Sequence, residues 1–172
     1  MDKIKELILY IEALKNEQRF NEAIKIIQDS LVKYNGDYRL YEELSDIYLY
    51  KGELAKGLKS VNYALSLNKD SATGNYLKGF ILLSQDKIIE AIKYLEYSNK
   101  ILGNNSEVLR NLGWAYTMIG NTERGISILN RALILSPNDD LITEDLAMAL
   151  IGAGKINEGN GLLKKIGKKI MA

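Results

Sequence analysis

The stretch that decides the fold runs from Ser106 to Asp139 and reads SEVLRNLGWAYTMIGNTERGISILNRALILSPND. Its first half places large apolar residues at the three- and four-residue spacing of a helix with one buried face: Leu109, Leu112 and Tyr116. Gly120 interrupts this pattern, a second apolar helix face follows, and Pro137 ends the stretch. It therefore predicts a helical hairpin, which needs a neighbour to bury its apolar stripe.

The same pattern recurs along the whole chain in steps of 34 residues, without an insertion or a deletion. The five copies span residues 4–37, 38–71, 72–105, 106–139 and 140–172. They predict ten helices, near 3–17, 20–34, 38–51, 54–68, 72–85, 88–101, 106–119, 122–135, 140–153 and 156–169. An unbroken period of this length indicates stacked helical hairpins.

Small residues recur where the two helices of each hairpin should cross. In the first helices they are Ser45, Gly79, Gly113 and Ala147, and in the second helices Ala23, Gly57, Ala91, Gly125 and Gly159. Because a bulky side chain would hold the helix axes apart, these positions predict close backbone contact.

Other residues mark where helices begin and end. The break inside each hairpin falls on Gly52, Asp86, Gly120 and Gly154, with Gln18 as the exception. Such residues predict either a left-handed cap that ends one helix or an acceptor that begins the next. Acidic or hydroxyl residues stand where new hairpins begin: Asp37, Ser71, Ser106 and Asp139.

Composition agrees with a folded, all-α protein. Hydrophobic residues make up 47% and charged residues 26% of the 172 residues, and the single proline against 14 glycines favours helices joined by glycine turns. The net charge of +1 provides no general attraction to nucleic acids or anionic membranes. Cysteine and histidine are both absent, so disulfides, thiolate or imidazole metal ligands and the usual neutral-pH general base are excluded.

The reference stretch resembles the tetratricopeptide repeat (TPR) family. The motif is Leu112-Gly113-x-x-Tyr116 followed by Gly125, Leu129, Ala132 and Pro137. The resemblance covers essentially the whole chain, although Lys78 replaces the leucine before Gly79 and the other repeats lack the proline. It implies an all-α fold, a right-handed superhelical solenoid of five repeats that forms one domain over residues 1–172.

In proteins similar to this one, the first helices line a concave groove that holds a peptide or a partner helix. The first repeat would contribute Glu12 and Lys15 to that face. The predicted ligand-binding residues are Glu42, Glu43, Asp46, Tyr76, Phe80, Arg110, Asn111, Trp114, Glu144, Asp145 and Met148. The aromatic residues among them are not needed for the packing between repeats, and large side chains on an open face are typical binding anchors.

Two alternatives concern these residues. Trp114 and Phe80 could pack against neighbouring side chains and close the groove. The acids Glu42, Glu43 and Asp46 could form an ordinary solvated helix face, and they would bind a metal only if a further ligand joined them.

The Lys, Asn and Arg set with which some TPR proteins hold a terminal carboxylate is not present at the corresponding positions. We therefore expect a protein or peptide ligand with apolar or aromatic residues and basic residues that face the acids.

The sequence thus predicts a non-catalytic, protein-binding adaptor without a cofactor or a metal. A cytoplasmic location is expected, because neither a secretory signal nor an apolar run long enough to span a membrane is visible. One alternative is a scaffold that self-assembles through a terminal hairpin, in which Gly159, Gly161 and Gly167 weaken the last helix. A more remote one is a carboxylate-based enzyme or a small-ligand sensor.

Overall fold

A computed structural model describes residues 3–170, which form ten α-helices joined by short turns. The helices are α1 (Lys3–Asn16), α2 (Phe20–Leu31), α3 (Tyr38–Tyr50), α4 (Leu54–Leu67), α5 (Ala72–Ser84), α6 (Ile88–Ile101), α7 (Ser106–Met118), α8 (Thr122–Leu135), α9 (Asp140–Gly152) and α10 (Ile156–Lys165). The predicted all-α class is confirmed for this part of the chain. Every helix begins at the residue that the 34-residue pattern predicts.

Two helices end well before the predicted residue: α2 ends at Leu31 and α10 at Lys165. After α2, the backbone N–H groups of Lys33 and Tyr34 both donate to the carbonyl of Ser30, which tightens the chain into a turn. After α10, Gly167 has a φ of +69°, and the N–H of Lys168 donates to the carbonyl of Leu163. A left-handed residue with this hydrogen bond ends a helix, so α10 stops at Lys165.

The turn inside each hairpin is a left-handed helix cap. Glycines fill this position in three hairpins, and Gln18 and Asp86 adopt the same conformation with φ of +59°. In each case the next residue closes the helix end; for example, the N–H of Asn121 donates to the carbonyl of Tyr116 over 2.9 Å. This bond is typical of the Schellman motif, so of the two roles considered for these residues, the cap is the correct one.

Side chains cap the N-termini of several first helices. Asp37 accepts from the N–H of Arg39, and Asp139 accepts from those of Leu141 and Ile142. At α7 the capping residue is Asn105, one residue before the predicted Ser106, because its side-chain oxygen reaches the N–H groups of both Glu107 and Val108.

The chain divides into two compact units, Met1–Ile81 (unit 1) and Leu82–Ala172 (unit 2), and the division falls within α5. In unit 1, one core cluster joins α1, α2 and α3 around Ile11, Ile27 and Ile47, and another joins α4 and α5 around Val61 and Ile81. In unit 2, Leu129 and Leu146 belong to a cluster that joins α8 and α9. Because repeat proteins contact mainly their sequence neighbours, such a division does not require separate domains, and one domain over residues 1–172 stays a prediction.

The small residues lie where the helices of a hairpin approach each other. A Cβ atom added to Gly125 would lie 2.8 Å from the carbonyl oxygen of Gly113, and one added to Gly113 would lie 3.0 Å from that of Gly125. In the hairpin of α3 and α4, Ser45 Oγ donates to the carbonyl of Gly57 over 3.0 Å. Close backbone contact is confirmed in these two hairpins.

None of the ten helices between residues 3 and 170 combines the length and the apolar character that crossing a bilayer requires.

Candidate functional site

In unit 2, the first helices α7 and α9 present a strip of partly exposed apolar side chains. Met118 is 50% exposed, Leu141 is 56% exposed and Met148 is 36% exposed, while Trp114 is half-buried. Trp114 and Met148 occupy equivalent positions of two consecutive repeats, and α7 contacts α9, so the four residues share one face. We call this set, Trp114, Met118, Leu141 and Met148, the apolar strip.

Two ion pairs involve the predicted charged residues of unit 2. Arg110 Nε donates to Asp145 Oδ2 over 2.8 Å, and Lys168 Nζ lies 3.2 Å from Glu144 Oε2. Burial raises the pKa of Asp145 above its ordinary value, against the opposing attraction of Arg110. Each of the two acids therefore already has a basic partner within the chain.

Asn111 does not lie on an open surface. It is only 6% exposed, and its Nδ2 donates to the carbonyl of Glu107 over 3.0 Å, one turn earlier in α7. This local side-chain-to-backbone bond is a common use of asparagine within a helix. The residue thus contributes to the interior of the repeat.

In unit 1, the predicted acids Glu43 and Asp46 surround a buried lysine. Lys15 Nζ, at the end of α1, lies 2.8 Å from Glu43 Oε2, 2.6 Å from Asp46 Oδ2 and 2.7 Å from Glu12 Oε1. Its side chain is 6% exposed. The basic partner expected in a ligand is thus supplied, for these two acids, by Lys15.

The carboxylates of Glu12, Glu43 and Asp46 stand close enough together to coordinate a cation. The metal alternative required a fourth ligand beside Glu42, Glu43 and Asp46. Glu12 does join Glu43 and Asp46, but Glu42 accepts from Ser71 instead, and the Lys15 ammonium hydrogen-bonds to the three clustered carboxylates. The arrangement is therefore a charge network around an internal cation.

Three carboxylates around one ammonium leave surplus negative charge in this network. Burial raises the pKa of Glu43 to about 7; Lys15 opposes this shift, whereas the charges of Glu12 and Asp46 add to it. The pKa of Lys15 is raised, because the three carboxylates outweigh the effect of its burial. Lys15 thus stays charged, and Glu43 titrates near neutral pH.

Glu42 is a buried residue with a partner of its own. It is 5% exposed and accepts a short hydrogen bond from the hydroxyl of Ser71. A Cβ atom on Gly74 would lie 2.8 Å from Glu42 Oε1, so this glycine leaves room for the carboxylate. Burial raises the pKa of Glu42, although the bonds from Ser71 and the Gly74 backbone oppose that shift.

Tyr76 and Phe80 form a pair on successive turns of α5. Their ring centroids are 6.3 Å apart at an interplanar angle of 40°, and both residues are half-buried. Tyr76 also packs against the core cluster of α4 and α5. Part of the predicted aromatic surface is thus used for packing within unit 1.

Sequence reasoning missed the pairing between Lys15 and the acids of α3. The signal was present, because the register places Lys15 and Glu12 on the same face as Asp46 in the next repeat. It also missed Met118 and Leu141, whose exposure depends on which side chains the neighbouring hairpin covers.

No protein-family model matches the sequence, and no curated protein is similar to it by sequence. Solved structures do resemble the chain. PilW, a widely conserved type IV pilus biogenesis factor, is 20% identical over 96% of this chain and 76% of its own, with a TM-score of 0.85.

Two further neighbours are described as TPR proteins. TTC0263, a thermophilic TPR protein of Thermus thermophilus, is 14% identical over 94% of this chain and 88% of its own, with a TM-score of 0.76. YrrB, a TPR protein with an unusual peptide-binding site, is 14% identical over 92% of this chain and 82% of its own, with a TM-score of 0.72. These likenesses agree with the 34-residue period, the left-handed caps and the close glycine contacts. The chain has the fold of the tetratricopeptide repeat family.

Proposed function

We propose that the chain is a non-catalytic adaptor that binds a protein segment on the apolar strip of unit 2. The observation that carries this proposal is the exposure of Met118, Leu141 and Met148 beside the half-buried Trp114. Exposed apolar side chains on one face of neighbouring helices, with a tryptophan and methionines among them, are typical of adaptable protein-binding surfaces. The fold supports this role as well, since YrrB is described as having a peptide-binding site.

The charge balance around the strip determines which ligand fits. Asp145 is paired with Arg110, whereas Glu144 is 34% exposed and its partner Lys168 is 53% exposed. Exposed ion pairs are weak, so a basic residue of the ligand can compete with Lys168 for Glu144. The proposed ligand therefore has apolar or aromatic anchors and a basic residue at its edge.

The acids of unit 1 contribute less to this preference than the sequence predicts. Glu43 and Asp46 face Lys15, and Glu42 is buried against Ser71. A basic ligand at Glu43 or Asp46 would have to displace the internal, hydrogen-bonded Lys15. We therefore place ligand recognition on the strip, with Tyr76 and Phe80 as secondary candidates.

An observation at the last hairpin favours an adaptor over self-assembly through that end. Ile126 and Leu133 of the fourth repeat pack in the cluster between α8 and α9. The equivalent positions of the fifth repeat are occupied by Asn160 and Gly167. A polar residue and a glycine thus stand where a further hairpin would need apolar contacts.

Selection of phage-displayed random peptides on the full chain tests the proposed function. The selected peptides should carry apolar or aromatic anchors, and Met148→Ala should weaken their binding by about tenfold or more, as expected for a residue at the centre of an interface. Ile134→Ala is the matched control, because Ile134 is 78% exposed but lies on the second helix α8. An equal loss in both variants, or no selected peptide at all, would contradict the proposal.

A further inference from the structure

Unit 1 contains an open groove on α3 and α4. Its volume is about 790 Å³, and it is lined by three tyrosines, Tyr41, Tyr48 and Tyr63, together with Leu44, Lys56 and Lys59. The rings of Tyr41 and Tyr63 are 4.5 Å apart between centroids at an angle of 58°. Tyr63 is 49% exposed, so the aromatic wall is accessible. We call this cavity the tyrosine groove.

Unit 2 has a groove at the same register that is smaller and differently built. Its volume is about 350 Å³, and Leu109, Arg124 and Arg131 stand where the tyrosine groove has Tyr41, Lys56 and Tyr63. The Arg124 guanidinium lies 4.0 Å from the centroid of the Tyr116 ring and donates to Glu96 over 2.7 Å. In unit 2, therefore, an arginine that is paired with the chain's own glutamate occupies this space.

The described part of unit 1 has no arginine–glutamate pair at the positions of Arg124 and Glu96. Gln28 stands at the register position of Glu96, so α2 offers no carboxylate there. Lys56 lies 5.4 Å from the centroid of the Tyr48 ring and pairs with Glu53. Lysine lacks the planar group of arginine, and Tyr63 stays 49% exposed in this groove.

The charged residues that line the tyrosine groove are both cations. Lys59 forms no ion pair within residues 3–170, whereas Lys56 has Glu53 as its partner. An aromatic wall with an unpaired ammonium beside it is complementary to an apolar side chain next to a carboxylate. A volume of about 790 Å³ is enough for more than one side chain.

We propose that the tyrosine groove binds an acidic protein segment, with an aromatic or aliphatic residue between the tyrosines and a carboxylate on Lys59. The tyrosine groove belongs to unit 1, whereas the apolar strip belongs to unit 2. The groove prefers an acidic ligand and the strip a basic one, so this inference goes beyond the proposed function. A single-stranded nucleic acid could also stack on tyrosines beside lysines. Two lysines and a net charge of +1 favour the protein segment, because nucleic-acid binding depends on many phosphate contacts.

Fluorescence polarisation with dye-labelled peptides tests this inference on the full chain. One set carries a central Phe, Trp or Leu flanked by Glu, and a matched set carries Lys in place of Glu; a labelled oligothymidylate is the third probe. The Glu peptides should bind saturably and more weakly at high salt. Binding of the Lys peptides with equal affinity, or saturable binding of the oligothymidylate alone, would overturn the proposal.

Charge reversal at Lys59 locates the site. Lys59→Glu should weaken binding of the Glu peptides about tenfold or more, since it replaces attraction by repulsion at the carboxylate. The matched control is Ser127→Glu at the equivalent position of the unit 2 groove, which should leave the affinity unchanged. Both residues lie outside the buried core, so circular dichroism should show folded variants. Equal losses in the two variants would place the binding elsewhere and overturn the proposal.

Discussion

Lys15 is the residue on which the polar interior of unit 1 depends. Its ammonium is the common partner of Glu12, Glu43 and Asp46, and its side chain is 6% exposed. Removing one partner from a buried ion pair costs more than the pair itself contributes, because the remaining charge has lost both water and its counterion. Here three carboxylates would lose their shared cation at once.

We therefore expect Lys15→Met to lower the free energy of unfolding by about 1–3 kcal/mol. This is less than for a fully buried pair, because the side chains of Glu12 and Asp46 are 46% and 29% exposed. Urea unfolding followed by circular dichroism measures this change. Lys25→Met is the control, because Lys25 is exposed and a surface substitution of this kind should change stability by less than about 0.5 kcal/mol. Similar stabilities for the two variants would show that the network contributes little.

Glu43 makes the stability of unit 1 depend on pH. Its pKa is raised to about 7, mainly by burial, so the folded state binds a proton that the unfolded chain has released. Stability from this proton is complete below about pH 4.5 and is lost as the pH rises through 7. The free energy of unfolding should therefore fall between these pH values.

Glu43→Gln isolates this effect, because an amide does not titrate. The variant should lose part of the pH dependence that the wild type shows in urea unfolding at a series of pH values. Glu90→Gln on the exposed part of α6 is the control and should follow the wild type. A wild type whose stability rises with pH in this window would contradict the assigned direction of the pKa shift.

At the scale of the helices, the close approach of two backbones fixes each hairpin. A Cβ atom on Gly125 would lie 2.8 Å from the Gly113 carbonyl oxygen, and it would also collide with Thr117 Oγ1. Backbone cannot move aside as a flexible side chain does, so α7 and α8 would have to separate. The glycine is thus required by packing, and the turn glycines are required by their left-handed conformation.

Gly125→Ala should accordingly destabilise the chain by about 1–3 kcal/mol, as overpacking generally does. Gly161→Ala in α10 is the matched substitution, because nothing lies within 4 Å of its added Cβ. It should stabilise the chain by about 0.5–1 kcal/mol through helix propensity. Urea unfolding of both variants measures the contrast, and a stability of Gly125→Ala equal to that of the wild type would refute the packing role.

The repeat period made the helices predictable, because the spacing of apolar residues along a buried face follows from helix geometry. Side-chain partners were harder to predict. Whether Glu42 faces solvent depends on the space left by Gly74 and on the hydroxyl of Ser71, neither of which a helical pattern reveals. The burial of Asn111 was hard to predict for a related reason, since its side chain donates to the backbone of its own helix.

At the scale of the molecule, the two units are built from the same type of repeat but have different surfaces. Unit 2 exposes the apolar strip on its first helices, and unit 1 has the tyrosine groove. The apolar strip and the tyrosine groove each lie where the residues of one hairpin differ from those at the equivalent positions of the other hairpins. We infer that drift between repeats, with the packing residues retained, produced the two proposed binding surfaces.

Acrylamide quenching of the single tryptophan, Trp114, measures the apolar strip directly, provided that excitation is at a wavelength that the 11 tyrosines barely absorb and that the selected peptide contains no tryptophan. In the free chain, Trp114 should be accessible to acrylamide. A saturating peptide selected on the full chain should shift its emission to shorter wavelength and protect it from quenching. Emission and quenching that stay unchanged at saturation would show that the ligand binds elsewhere, and this result would contradict the proposed function of the strip.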